Sequence, residues 1–108
     1  MMRGDVVVVA LPGDVGKPRP AIVLRANIFS IHNRISVVPC TSQLQPWRSL
    51  RVDLAPSEDN GLHIPCQAMI DRVTSVKSER ARQVIGRLAD ADLAAIDRAV
   101  LVYLGFAE

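Results

Sequence analysis

The sequence is poor in aromatics: one Trp, one Tyr and two Phe among 108 residues, 4% in all. It has two cysteines, too few for a secreted domain stapled by disulfides in place of a core. No run of 18 or more apolar residues occurs, so no segment reads as a membrane-spanning helix. The stretch MMRGDVVVVALPGD lacks the small-residue cleavage site of a signal peptide, and Asp5 interrupts it. It reads as a strand, and the expected compartment is the cytoplasm. The formal net charge is only +2, which permits an anionic partner without requiring one.

What is present is apolar sequence, 49% of the chain, enough for one modest core. A single domain over 1–108 is expected. Residues 5–11, DVVVVAL, are continuous and β-branched, the pattern of a strand buried on both faces or of a barrel strand. Residues 12–20 hold two Gly and three Pro in nine positions and read as a loop. Strands are expected at 21–25 (AIVLR), 35–40 (ISVVPC) and 50–54 (LRVDL), the last alternating apolar with charged residues. APSEDNG (55–61) reads as a plain loop. CQAMI and RVTSV, at 66–70 and 72–76, form one strand or two. KSERAR reads as a helical turn, and 83–88 as a short strand with Gly86 at a bulge or a close approach.

The C-terminal stretch is an amphipathic helix. Asp90 stands as its cap and Asp92 in its first turn. Leu93, Ile96, Val100, Tyr103 and Leu104 recur at helical spacing, and Gly105 stops it. The fold class is therefore mainly β with a C-terminal helix, as a small antiparallel β-barrel or curled sheet.

Arg19 lies between Pro18 and Pro20, directly before the run AIVL. Neither proline has an N–H, and each biases the residue before it toward extended geometry. Arg19 is thus a cation held in one direction at the mouth of a strand, or else a soluble edge residue protected by prolines. VVPCTSQ (37–43) ends a buried strand in three hydrogen-bonding side chains, Thr41, Ser42 and Gln43. That is an ordinary strand-end turn, or a hydroxyl presented beside Arg19 if strands two and three pair antiparallel. Trp47, with Arg48 and Arg51 near it, stacks a base beside phosphates, folds onto the barrel or packs in a dimer interface. Cys40 and Cys66 read as reduced and packed in strands, with a disulfide as the alternative. A zinc site from His32, Cys40, His63 and Cys66 would match no recognised finger spacing. The two histidines read as surface loop residues.

RGDVVVVALPGDVGKPRPAIVL followed by VVPCTSQ resembles the MazF/PemK (Kid) family of bacterial toxins. GLHIPCQAMIDRVTSV and IGRLADADLAAIDRAVLVYLG resemble the family's later strand and C-terminal helix, so the likeness runs from Arg3 to about Gly105. The resemblance implies a small SH3-like (CcdB/MazF-type) β-barrel and a homodimer. It implies a metal-independent endoribonuclease, with no cofactor, that cleaves single-stranded RNA to a 2′,3′-cyclic phosphate and a 5′-hydroxyl. It also implies an antitoxin that blocks the site with an acidic C-terminal segment.

Arg19 and Thr41 match the family's catalytic pair. Asp14, Lys17, Ser42, Gln43, Trp47, Arg48 and Asp71 are the expected RNA-binding residues. The chain departs from the family in a shortened first loop, where Asp14 is the only acid. In place of Asp-Gln-x-Arg-Thr it reads Asp71-Arg72-Val73-Thr74-Ser75, which on a strand would turn Arg72 to the face opposite Asp71. Two other readings share the fold. A CcdB-like gyrase poison is disfavoured by an end in Leu-Gly-Phe-Ala-Glu instead of Trp-Gly-Ile. A non-catalytic RNA-binding barrel draws on the altered Asp71–Ser75 segment.

Overall fold

Valine-rich β1 (Asp5–Ala10) explains how so few aromatics suffice for a core. In the computed structural model, which describes residues 1–13 and 17–108, its side chains alternate between two apolar clusters. Val6 joins Ile22, Val38, Leu54, Leu62, Ala68, Ile70 and Ile96 on one face of the sheet. Val7 and Val9 join Ala21, Val23, Ile35, Val37 and Val76 on the other. Each buried aliphatic side chain contributes about 1.5–3 kcal/mol, so two layers fed by one strand make an economical core.

The remaining strands are β2 (Pro18–Val23), β3 (Arg34–Thr41), β4 (Arg51–Leu54), β5 (Cys66–Met69), β6 (Thr74–Lys77) and β7 (Ala81–Arg87). Every pairing is antiparallel, in the order β4-β5-β3-β2-β1-β7, with β6 also on β3. The molecule measures 32 × 30 × 28 Å, so this sheet curls strongly. Among the described residues no ladder joins β4 to β7, and the barrel-like form stays open there.

The segment read as a plain loop, 55–61, packs into that opening. Asn60 is buried; its side-chain oxygen accepts the N–H groups of Ser57 and Leu62, and its amide donates to the Ala55 carbonyl. The Arg87 N–H donates to the Asp59 carbonyl at 2.7 Å. Two glycines allow that approach: a Cβ on Gly86 would lie 2.3 Å from the Asn60 carbonyl carbon, and one on Gly61 would lie 2.1 Å from the Ile85 carbonyl oxygen. The expected bulge is also present, since Val6 pairs with Gly86 but Val7 with Val84.

Other expectations shift at element ends. The 66–76 stretch is two strands separated by a 3-10 turn, Ile70–Arg72. Only Ser78–Arg80 of KSERAR is a 3-10 turn; the next two residues already belong to β7. Helix α1 spans Asp90–Tyr103 with Ala89, not Asp90, in the N-cap position; Asp90 and Asp92 sit in the first turn, favourable to the helix dipole. Ile96 is buried, with Leu93 and Val100 packed against the same cluster. Tyr103 and Leu104 are exposed instead, because the helix outruns the sheet beneath it. Gly105, at φ +85°, closes it with a Schellman motif: Phe106 N–H donates to Leu101 O and Gly105 N–H to Val102 O. Arg3 ties the chain's start to this helix through an ion pair with Asp97. Among the described residues no helix is long and apolar enough to cross a membrane.

Candidate active site

β2 begins at Pro18, inside the stretch read as a loop, so Arg19 sits at the mouth of its strand as expected, as the second residue of a strand that runs between β1 and β3. Two prolines are tolerated there because of where their nitrogens face. The Leu24 N–H donates to Ser36 O of β3, and alternation along the strand turns positions 18, 20 and 22 the same way. Pro18 and Pro20 thus offer no donor toward β3, while Arg19 and Ala21 face β1. On the β1 side pairing runs to Pro18↔Ala10. On the β3 side it stops at Ala21↔Pro39.

Beyond that point the strands part. Two steps further in the same register, Arg19 comes opposite Thr41, as antiparallel pairing requires. β3 meanwhile changes partner, from β6 (up to Val37↔Thr74) to β5 (from Cys40↔Ala68), with Pro39 at the changeover. A cavity of about 890 Å³ opens in this fork.

Arg19 and Thr41 are half-buried in its wall. The Thr41 hydroxyl oxygen accepts the Gln43 N–H at 3.1 Å, a local turn that fixes the rotamer and leaves the hydroxyl proton to donate elsewhere. Lys17, Ser42, Gln43, Trp47 and Asp71 also line the cavity. Asp14 lies outside the described residues. Arg48 is exposed and does not line the cavity. Asp71 and Arg72 both do, contrary to the opposite faces expected of a strand, because they sit on the 3-10 turn where two-residue alternation does not apply. Lys17, Arg19, Arg51 and Arg72 therefore face one carboxylate, Asp71, among the described lining residues. The cavity is far more cationic than the net charge of the chain suggests.

Two side chains hold this wall together, Arg51, named above only as a neighbour of Trp47, and Gln67, which the sequence patterns do not single out. Arg51, in a strand read as half-exposed, is buried to 7% of its side-chain surface and pairs with Asp71. Its guanidinium lies 4.8 Å from the Trp47 ring centroid and donates to Leu50 O at 2.9 Å. One Trp47 face is thereby backed by a cation, while the residue stays nearly half exposed, at 47%. Gln67 clamps the preceding loop: its oxygen accepts the Gln45 N–H at 2.9 Å, and its amide donates to Gln45 O and to Asp53. A lone amide in the buried run CQAM was the available signal for Gln67. His63, read as a surface loop residue, is exposed but also lines the cavity.

At the cavity floor the Cys40 and Cys66 side chains hydrogen-bond to each other, and both are free thiols. That bond, with burial, pushes the Cys40 thiol well above the usual range; the Arg19 charge opposes it. The same bond holds Cys66 below the usual range, against burial. Among the described residues no three His, Cys, Asp or Glu side chains gather as a metal site would need.

Residues 2–104 match the family described as PemK-like, MazF-like toxin of type II toxin-antitoxin system. The chain is 37% identical, over 108 residues, to a Mycolicibacterium smegmatis protein named probable endoribonuclease MazF, covering 99% of each. It is 32% identical over 114 residues to endoribonuclease MazF9 of Mycobacterium tuberculosis, covering 96% of each. Among solved structures, an endoribonuclease in complex with its cognate antitoxin from Mycobacterial species superposes with a TM-score of 0.82 at 18% identity, covering 100% of this chain and 98% of that one. At that identity the likeness is one of fold.

Proposed function

The chain belongs to the PemK-like, MazF-like toxin family of type II toxin–antitoxin systems, and on that premise we propose that it is a sequence-specific endoribonuclease for single-stranded RNA. The observation that carries the reading is the fork itself: its register brings Arg19 opposite Thr41 in a cationic cavity.

RNA supplies its own nucleophile. The 2′-oxygen attacks the adjacent phosphorus, the bond to the 5′-oxygen of the next nucleotide breaks, and the products are a 2′,3′-cyclic phosphate and a 5′-hydroxyl. The 2′-hydroxyl proton passes to solvent water, and the departing 5′-oxygen takes a proton from solvent. What the protein adds is position and charge. The Arg19 guanidinium is planar and permanently protonated, and it donates to the phosphate oxygens as negative charge builds on them. Such a donor contributes about 3–4 kcal/mol to the transition state. The Thr41 hydroxyl, oriented by the hydrogen bond it accepts from the Gln43 N–H, donates a hydrogen bond to the same phosphate. Trp47, backed by Arg51, stacks a base; Lys17, Ser42, Gln43 and Asp71 contact the flanking nucleotides. The chemistry needs no metal ion, because Arg19 covers the charge a metal would otherwise cover.

The 108 residues act as one toxin domain, working in the cytoplasm as a homodimer. An antitoxin segment rich in Asp and Glu would fill the same cationic cavity and silence it. The test is incubation of the purified protein with varied single-stranded RNA in excess chelator. Cleavage at a short sequence, with cyclic phosphate ends, is the expected result. RNA that is bound but left intact would make the protein a binding module instead.

A further inference from the structure

Cys40 and Cys66 have no part in that reaction, yet they lie beneath it. Cys40 precedes Thr41 on β3, and Cys66 opens β5. Cys40 pairs with Ala68 and Thr41 with Gln67, so Cys66 shares the sheet face of Cys40 one diagonal step away. Both are nearly inaccessible, at 1% and 6% of their surface, and sit in one apolar cluster. The face they show is the cavity, which both line. A small oxidant reaches them through the space that RNA would enter.

We propose that Cys40 and Cys66 form a redox-active dithiol that a small peroxide oxidises through the RNA cavity, and that the resulting disulfide switches RNA cleavage off.

The chemistry balances with hydrogen peroxide as the oxidant. The Cys66 thiolate, favoured by the hydrogen bond from Cys40, attacks one peroxide oxygen; the O–O bond breaks, and hydroxide leaves and takes a proton from solvent. Cys66 is now a sulfenic acid. The Cys40 thiol attacks that sulfur, the S–O bond breaks, and water leaves with the Cys40 proton. Two electrons pass from the sulfurs to the peroxide, and two waters form.

The effect on the site follows from the ladder. Diagonal neighbours across a sheet stand about 7–8 Å apart at Cα, whereas a disulfide spans about 4.4–6.8 Å. Closing the bond draws the two strands together where Thr41 pairs with Gln67. Gln67 in turn holds Gln45 and the loop leading to Trp47. The displacement therefore reaches Thr41 and the opposite wall together.

The switch rests on the RNA-cleaving reading; the dithiol does not, so two readouts are taken from one titration with hydrogen peroxide. Mass spectrometry of the intact chain and its peptides is expected to show the loss of two hydrogens and a Cys40–Cys66 cross-link. RNA cleavage is expected to fall about a hundredfold, the cost of an ångström-scale displacement of a positioned group, and to return with dithiothreitol. Cys66→Ala is expected to cleave like the parent chain and to keep that rate under peroxide. If reduced protein cleaves RNA while both thiols survive doses that oxidise a free cysteine peptide, the dithiol is overturned alone. A cross-link that leaves cleavage unchanged overturns the switch. Reduced protein that never cleaves RNA overturns the nuclease reading and the switch with it, and the cross-linked peptide still decides the dithiol.

Discussion

β2 meets its two neighbours on different terms. Toward β1 it is paired from Pro18 to Ile22. Toward β3 the ladder covers only Ala21 to Val23, and the first part of the strand stands open. One strand is thus scaffold on one side and site wall on the other. The difference is set by which way two imino nitrogens face. An interior strand normally excludes proline. Here the missing donors all fall on the side where the chain has to stay unpaired, so they open a cavity without loosening the β1 ladder.

The strongest way to break this contrast is on the open side. Arg19→Ala removes the cation and leaves both ladders in place; cleavage should fall about 10²–10³-fold with an unchanged urea midpoint. A variant that unfolds instead would place Arg19 in the scaffold. The closed side answers to a different change. Gly86→Ala puts a Cβ against the Asn60 backbone and should cost about 1–3 kcal/mol, read as a lower urea midpoint, because backbone must move. Unaltered stability would mean that the 55–61 segment is a loose cover.

Smaller effects sharpen the comparison. Trp47→Ala should raise KM about tenfold with little change in kcat, as loss of a stacked base does. An equal loss in kcat would argue that the ring positions the reacting phosphate through Arg51. Pro20→Ala returns an N–H that faces β3. The new amide should exchange slowly with solvent, and cleavage should slow about fivefold as roughly 1 kcal/mol of added pairing narrows the fork. Fast exchange at that amide would show that something other than the missing donor keeps the strands apart.

The patterns that revealed the fold were those set by burial. DVVVVA read as a strand buried on both faces or as a barrel strand, and Asp90 to Gly105 as an amphipathic helix. That Arg19 and Thr41 would line one space was legible as well, because antiparallel neighbours fix which ends meet. What escaped was whatever depends on partners distant in sequence. Proline alone does not say which side of a strand is unpaired, so β2 looked shorter than it is. Arg51 sits in a stretch with strand-like alternation, yet Asp71 and Trp47 together draw it inward. Helical spacing placed Tyr103 and Leu104 on the inner face, but spacing does not reveal where the sheet beneath a helix ends. Asn60 looked like ordinary loop composition until its four hydrogen bonds were seen.

The β1–β7 ladder also carries a consequence for synthesis. β1 precedes every other strand of the fold, and its outer partner is the last strand before the helix. Pairings between distant segments form late, since loop closure precedes any gain from contact. During translation β1 therefore waits with one edge unpaired until Ala81–Arg87 has left the ribosome. Every residue lining the cavity up to Arg72 is made before that moment. The scaffold that holds them in register is completed only with β7. A protein proposed to cut RNA thus has most of its cavity wall synthesised before the sheet that positions it is complete.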